Sequence, residues 1–331
     1  MERFALAAAV VLGFALTAAL CSLFVPLRRV LERREQNQQP AQSEQPRPAP
    51  LRAPLWGGLC AAAGTVAAVG VGWLAACVGQ PELLGSEGRL MTRLLTALAG
   101  SLAFGAVGLA EDLARMRSPA ALGLRRDVRL LLEALAAAFV LLLLQAAGCL
   151  PRGLDVPGAG YVLLGSAVPF LWAVLMVALA ECARIAERDE GTVCGAAFVA
   201  MLALMMAEAG LGVPGLAVLP AALAGALVAL LLWAFPPARL GVGCCGSLLA
   251  AGAIGCIPLS LDMTSLTVPL ALPFWAAGGL WAAQLLGAKR TGKPLRCWVK
   301  KHKMSPETVF LCSFALSAVG YVLVLALLRW C

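Results

Sequence analysis

Ten stretches of mostly apolar residues recur along this chain, at roughly 4–24, 57–77, 92–110, 130–149, 159–180, 192–209, 213–234, 246–261, 267–288 and 308–328. Crossing the ~30 Å hydrocarbon core of a bilayer takes about 20 residues of helix, because each residue advances the axis by only ~1.5 Å. Lipid offers no hydrogen-bond partners, so a spanning segment must satisfy its own backbone, which a helix does and an open sheet does not. The pattern predicts an all-α polytopic membrane protein of about ten transmembrane helices, forming a single helical domain over 1–331. Composition agrees, with 61% apolar and 13% charged residues, a balance foreign to a water-soluble domain. The first stretch, Phe4 to Phe24, has no small-residue cleavage site behind it and reads as a retained span.

Charge then orients the bundle. Of the 26 lysines and arginines, all but Arg3, Arg89, Arg93, Arg152 and Arg329 fall in alternate connections. Positively charged loops stay in the cytoplasm, so these connections are cytoplasmic and both termini lie outside. The net charge of +8 is thus a topology signal and does not call for nucleic acid. Residues 35–53, EQNQQPAQSEQPRPAPLRA, are polar and proline-rich and predict an extended cytoplasmic loop. The 12 cysteines form no CxxC pair and lie mostly in apolar stretches, where a thiol packs as a small apolar group. Trp56, Trp73 and Trp298, near expected helix ends, read as interfacial anchors, and Gly57 with Gly58 as a site of close helix approach.

The stretch from Phe104 to Glu133 carries the chemistry. An apolar run ends in adjacent carboxylates, Glu111 and Asp112, followed by Arg115, Arg117, Arg125, Arg126 and Arg129 before apolar sequence resumes. Acids at a membrane boundary are costly, so such a pair needs a partner or a purpose. Further acids, Glu181, Glu187, Asp189 and Glu190, fall in the third cytoplasmic connection, and the glycine-flanked GVGCCGSL turn, Gly241 to Leu248, in the fourth. On a helix the i, i+3 spacing of Glu187 and Glu190 puts both on one face. Carboxylates beside cations suit Mg²⁺ with a phosphorylated or nucleotide-linked substrate. The same charges also fit a solvated interface that merely attracts anionic lipid, and both readings stand at this point.

Five motifs, taken together, resemble the phospho-N-acetylmuramoyl-pentapeptide-transferase family within the polyprenyl-phosphate hexosamine-1-phosphate transferases. PLRRVLERRE (26–35) and APLWGGL (53–59) resemble PLLRRL and TPTMGGL. FGAVGLAEDLARM (104–116) with GLRRDVRLLLE (123–133) resembles FGxIGFxDDxxKV with GLSxRQKLLLQ. ECARIAERDEGTVCG (181–195) lies without gaps on NxxNLTDGLDGLAAG, and WAFPPARLGVGCCGSL (233–248) resembles FNxxPAxVFMGDxGSL. QLLGAKRTGK (284–293) resembles QxxSFKxTGK, and His302 stands where the family's triple-histidine loop begins.

The resemblance implies a Mg²⁺-dependent enzyme of the bacterial cytoplasmic membrane. Such an enzyme moves phospho-MurNAc-pentapeptide from a UDP-sugar to polyprenyl phosphate in peptidoglycan synthesis and releases UMP. It implies Glu111, Asp112, Glu187 and Glu190 as catalytic acids, and His302, Lys300 and Lys301 as substrate-binding residues. The metal site is implied at Asp112 together with position 244, where Cys244 replaces the family aspartate. Membrane lipids and a homodimer complete the implied partners. Each retained acid except Asp112 is a glutamate in place of aspartate, and a thiolate suits Zn²⁺ better than Mg²⁺. Two functions therefore follow: a phosphoglycosyl transferase with altered chemistry, or a catalytically silent paralogue that serves as a binding or assembly partner in the envelope pathway.

Overall fold

A computed structural model of the chain describes residues 2–38, 56–79, 88–117, 123–151, 153–156, 160–163, 165, 167–188, 191–213, 215–235, 238–291 and 306–329. Helices α1 (Glu2–Gln38), α2 (Gly57–Gly79), α3 (Gly88–Arg117) and α4 (Arg126–Ala146) come first. An antiparallel hairpin, β1 (Gly153–Val156) with β2 (Gly160–Leu163), follows, pairing Gly153 with Leu163 and Val156 with Gly160. Then come α5 (Ala167–Ala186), α6 (Thr192–Gly210), α7 (Val218–Ala234) and α8 (Gly243–Ser260). A single 3₁₀ turn at Thr264–Leu266 leads into α9 (Thr267–Leu270), α10 (Leu272–Thr291) and α11 (Pro306–Leu328).

Each of the ten expected stretches contains a helix among the described residues. Seven, α1, α2, α3, α5, α6, α8 and α11, are long and apolar enough to cross a membrane. The stretch expected at 267–288 is broken: the chain bends by 65° between the short helix ending at Leu270 and α10, giving up to eight spans. α7 is shorter, with 17 residues, and α4 has 21. The stretch expected at 159–180 is shifted, because its first residues belong to β2 and the helix starts at Ala167. Hydropathy does not separate an apolar hairpin strand from the helix that follows it, whereas hydrogen bonding does. Of the expected polar loop, residues 35–38 continue α1 and the rest lies outside the described residues.

α8 is the axis of the bundle. All its residues from Gly243 to Ser260 are buried, as expected for a helix that is apolar around its whole circumference. Its most extensive partner is α3. Small side chains make that approach possible: Gly105 faces Leu249, Gly252 lies under Ser101 and Phe104, and a Cβ on Gly108 would collide with the main chain of Cys244. α2 closes in from another side, where a Cβ on Gly58 would meet the main chain of Cys245 and Gly246. There the chains also bond directly, Gly57 N–H to the Gly241 carbonyl at 3.2 Å and Gly58 N–H to the Val242 carbonyl at 2.9 Å. The close approach expected at Gly57 and Gly58 is thus present.

One of the expected interfacial tryptophans falls elsewhere. Trp73 is buried in the core rather than anchored at an interface, because it lies on the face of α2 that packs against its neighbours, while Val66, Val71, Leu74 and Val78 form the exposed face. Trp56 stacks on Phe24, with ring centroids 5.6 Å apart and planes within 5°. Trp298 lies outside the described residues. The cysteines pack as expected: Cys21, Cys60, Cys77, Cys194, Cys244, Cys245 and Cys256 are buried free thiols.

Candidate functional site

Four elements end at the pole of the bundle that the lysine and arginine distribution assigns to the cytoplasm. α3 brings Glu111, Asp112 and Arg115, α4 brings Arg129 and Glu133, α5 brings Glu181 and Arg184, and α8 presents its first turn. The acid pair is not in a loop, because α3 continues as helix to Arg117 and buries Glu111 and Asp112 at 2% and 1% exposure. Helix spacing places Arg115 one turn beyond both, on the same face.

Asp112 is committed to α8. Its Oδ1 accepts the N–H of Cys244 at 3.0 Å and its Oδ2 the N–H of Cys245 at 2.9 Å. A helix start leaves amide donors without intrahelical partners and carries partial positive charge, so an anion is favoured there. The residue preceding the helix, Val242, supplies no side-chain cap, and Asp112 takes that role from 132 positions away in sequence. The GVGCCGSL stretch is therefore the beginning of a helix rather than a turn. Gly243, at φ +72°, makes the sharp entry into it.

Arginines organise the remaining acids into two hubs that share Glu111. Around Arg115 lie Glu111 Oε1 at 2.7 Å, Glu187 Oε2 at 3.6 Å and Asp112 Oδ1 at 3.8 Å. Around Arg129 lie Glu181 Oε1 at 2.7 Å, Glu111 Oε1 at 3.7 Å and Glu133 Oε1 at 4.0 Å. Arg184 closes the second hub by a short bond to Glu181 Oε2. Cys244 joins the first, its thiol donating to Glu187 Oε2 at 3.2 Å. Glu133 is fully buried, and among the described residues neither of its oxygens accepts a hydrogen bond; nor does Glu111 Oε2.

Of the sequence candidates, Glu111, Asp112, Glu187 and Cys244 come together. Glu187 does so from the turn after α5, not from a helix face, because α5 ends at Ala186. Glu190, Lys300, Lys301 and His302 lie outside the described residues. Among the basic residues after the acid pair, Arg115 and Arg129 point inward, while Arg125, 85% exposed and 3.7 Å from Asp127, belongs to a solvated face. In the sequence Glu181 is named only among the acids of the third connection, and neither Glu133 nor Arg184 is proposed as a site residue. The available signal was the i, i+3 pair Glu181 and Arg184 at the end of an apolar run, standing against the two asparagines of the family string.

A polytopic helical membrane protein with a buried acid–arginine cluster at one pole is the class that these features define. The chain belongs to glycosyl transferase family 4, whose family model matches residues 94–262, from within α3 to the end of α8. Among similar proteins is the phospho-N-acetylmuramoyl-pentapeptide-transferase of Desulforudis audaxviator, 32% identical over 170 residues, 48% of this chain and 50% of that protein. The namesake of Mycobacterium tuberculosis is 28% identical over 265 residues, 72% of each chain. That of Synechococcus sp. is 30% identical over 212 residues, 63% of this chain and 55% of its own. The matched stretch thus spans half the length of the first of these relatives. With such relatives and its apolar helices, the protein is a multi-pass protein of the bacterial cytoplasmic membrane.

The donor set matches a Mg²⁺ site poorly. Mg²⁺ requires near-octahedral oxygen at about 2.0–2.1 Å. Here both oxygens of Asp112 hold amides, Glu187 Oε2 holds a thiol and faces a guanidinium, and the position of the family aspartate carries a thiol that donates a hydrogen bond. A thiol ligand would have to be a thiolate, which is a different species from a donor.

Proposed function

We propose that this protein binds a UDP-linked amino sugar and a polyprenyl phosphate at the cytoplasmic face and transfers the phosphosugar to the lipid phosphate in peptidoglycan synthesis. The relatives' name makes phospho-MurNAc-pentapeptide the sugar of choice. The observation that carries the reading is the double arginine hub, inside the matched region and at the pole that the lysine and arginine distribution assigns to the cytoplasm. In the reaction a lipid-phosphate oxygen attacks the sugar-bearing phosphorus. The new pyrophosphate bond forms as the bond to the uridylate oxygen breaks, and UMP leaves.

Such a transfer gathers negative charge, and fixed cations in a water-poor pocket stabilise it. Arg115 and Arg184, with side chains 19% and 13% exposed, are the buried-cluster cations that retain an open edge. Asp112 holds the first turn of α8 in place, and Lys300, Lys301 and His302 are the proposed contacts of the substrate phosphates. The reading is tested by UMP release from UDP-MurNAc-pentapeptide with undecaprenyl phosphate. The expected result is release by the natural protein and its loss in Asp112→Asn, and no release with any UDP-amino-sugar overturns it.

One observation favours a second reading. With the cluster's acids and arginines engaged with one another and a thiol at Cys244, where the resemblance implies an aspartate, the pocket also suits a catalytically silent paralogue that binds an envelope-pathway partner or substrate. Saturable UDP-sugar binding without turnover is its expected signature.

A further inference from the structure

We infer that the guanidinium of Arg115 is the resident cation of the Glu111, Asp112 and Glu187 cluster, so that this pocket holds no divalent metal in its working state. The inference concerns the same pocket as the proposed transfer but does not rest on turnover.

Space and charge both favour the guanidinium over a divalent ion. A divalent cation draws carboxylate oxygens to within about 2.1 Å of one point. The guanidinium of Arg115 instead spreads its three carboxylates over contacts of 2.7 to 3.8 Å from two different nitrogens. A planar fork bearing a permanent charge serves several acceptors at once and needs no deprotonation to do so. The oxygens that face Arg115 are also engaged by other groups. Asp112 is pulled toward α8 by two amides, Glu111 toward Arg129, and Glu187 toward the Cys244 thiol. Closing them onto a metal would break these bonds and place a second cation beside Arg115, a like-charge contact in a poorly screened site.

Cys244 belongs to the same design. An aspartate at that position would add an anion beside Asp112 and Glu187, and one guanidinium would then face four carboxylates. A neutral thiol that donates to Glu187 adds no fourth anion to the three carboxylates that Arg115 already faces. Position 244 and position 115 are thus coupled: a carboxylate at 244 calls for a metal, and a thiol at 244 suits the arginine.

The test uses Mn²⁺ as the probe and the full-length protein in lipid nanodiscs, with electron paramagnetic resonance reporting free Mn²⁺. The natural protein is expected to take up no stoichiometric Mn²⁺, and its thermal midpoint to be the same in Mg²⁺ and in EDTA. The Arg115→Gln/Cys244→Asp double variant, which opens the carboxylates and restores the acid, is expected to bind Mn²⁺ at least ~10-fold more tightly than the natural protein. Uptake of one Mn²⁺ per natural chain that disappears in Asp112→Asn overturns the inference. The natural-protein measurement needs no variant, so a double variant that fails to fold does not blunt the test. UMP release that persists in EDTA supports both proposals. Release that requires Mg²⁺ keeps the transfer and removes the inference, whereas no release together with no Mn²⁺ uptake does the reverse.

Discussion

The α3–α8 contact has two parts that work differently, and the contrast explains how a charged pocket is tolerated in an apolar bundle. Deeper in the bundle, Ser101, Phe104 and Gly105 lie against Leu249 and Gly252, a contact of small and apolar groups held by close packing. At the charged pole, the same two helices meet through Gly108, Asp112 and the amides of Cys244 and Cys245, a contact held by charge-assisted hydrogen bonds. The first part sets the interhelical distance to within a fraction of an ångström. The second depends on that setting, because hydrogen bonds weaken steeply when donor and acceptor are misplaced. Packing is thus the ruler by which the polar pole is positioned.

The sharpest way to break the comparison is Asp112→Ala. It leaves the buried amides of Cys244 and Cys245 without their acceptor, for an expected loss of roughly 3–5 kcal/mol, read from unfolding in detergent. Arg129→Met strips Glu111, Glu133 and Glu181 of their common cation and should cost about 3 kcal/mol in the same measurement. Arg129→Lys, which keeps the charge but not the fork, should recover only part of it. Gly108→Ala probes the packing part where it borders the polar one. Forcing the Cys244 main chain aside is expected to cost ~1–3 kcal/mol and to weaken UDP-sugar binding, checked by equilibrium titration. Arg125→Ala, on the solvated face a few residues from the hub, should change stability by no more than about 0.5 kcal/mol. An effect at Arg125 as large as that at Arg129 would dissolve the distinction between inward and outward arginines.

The apolar stretches announced the bundle, since burial in lipid demands long runs that sequence displays openly. The acid pair was legible for a similar reason, since carboxylates are out of place in such surroundings, whereas Cys244 drew notice only through the family resemblance. The pairings were not. Glu181 reaches Arg129 across 52 positions, and the cap of α8 comes from 132 positions away, so no local spacing reveals either. The first turn of α8 read as a loop because its glycines and small residues lack a local cap, and the group that supplies one sits on another helix. The hairpin before α5 and the 65° bend after Leu270 were hidden because hydropathy measures how apolar a segment is and not where its hydrogen bonds go.

The paired main-chain bonds from Gly57 and Gly58 to Gly241 and Val242 carry a consequence for how such a pocket can change over evolutionary time. A strut made of amides and carbonyls is indifferent to which side chains its residues bear. It keeps the entry to α8 at a fixed address while the occupant of position 244 is exchanged. The side chain at position 244, and with it the ionic character of the pocket, can therefore be exchanged without displacing the start of α8.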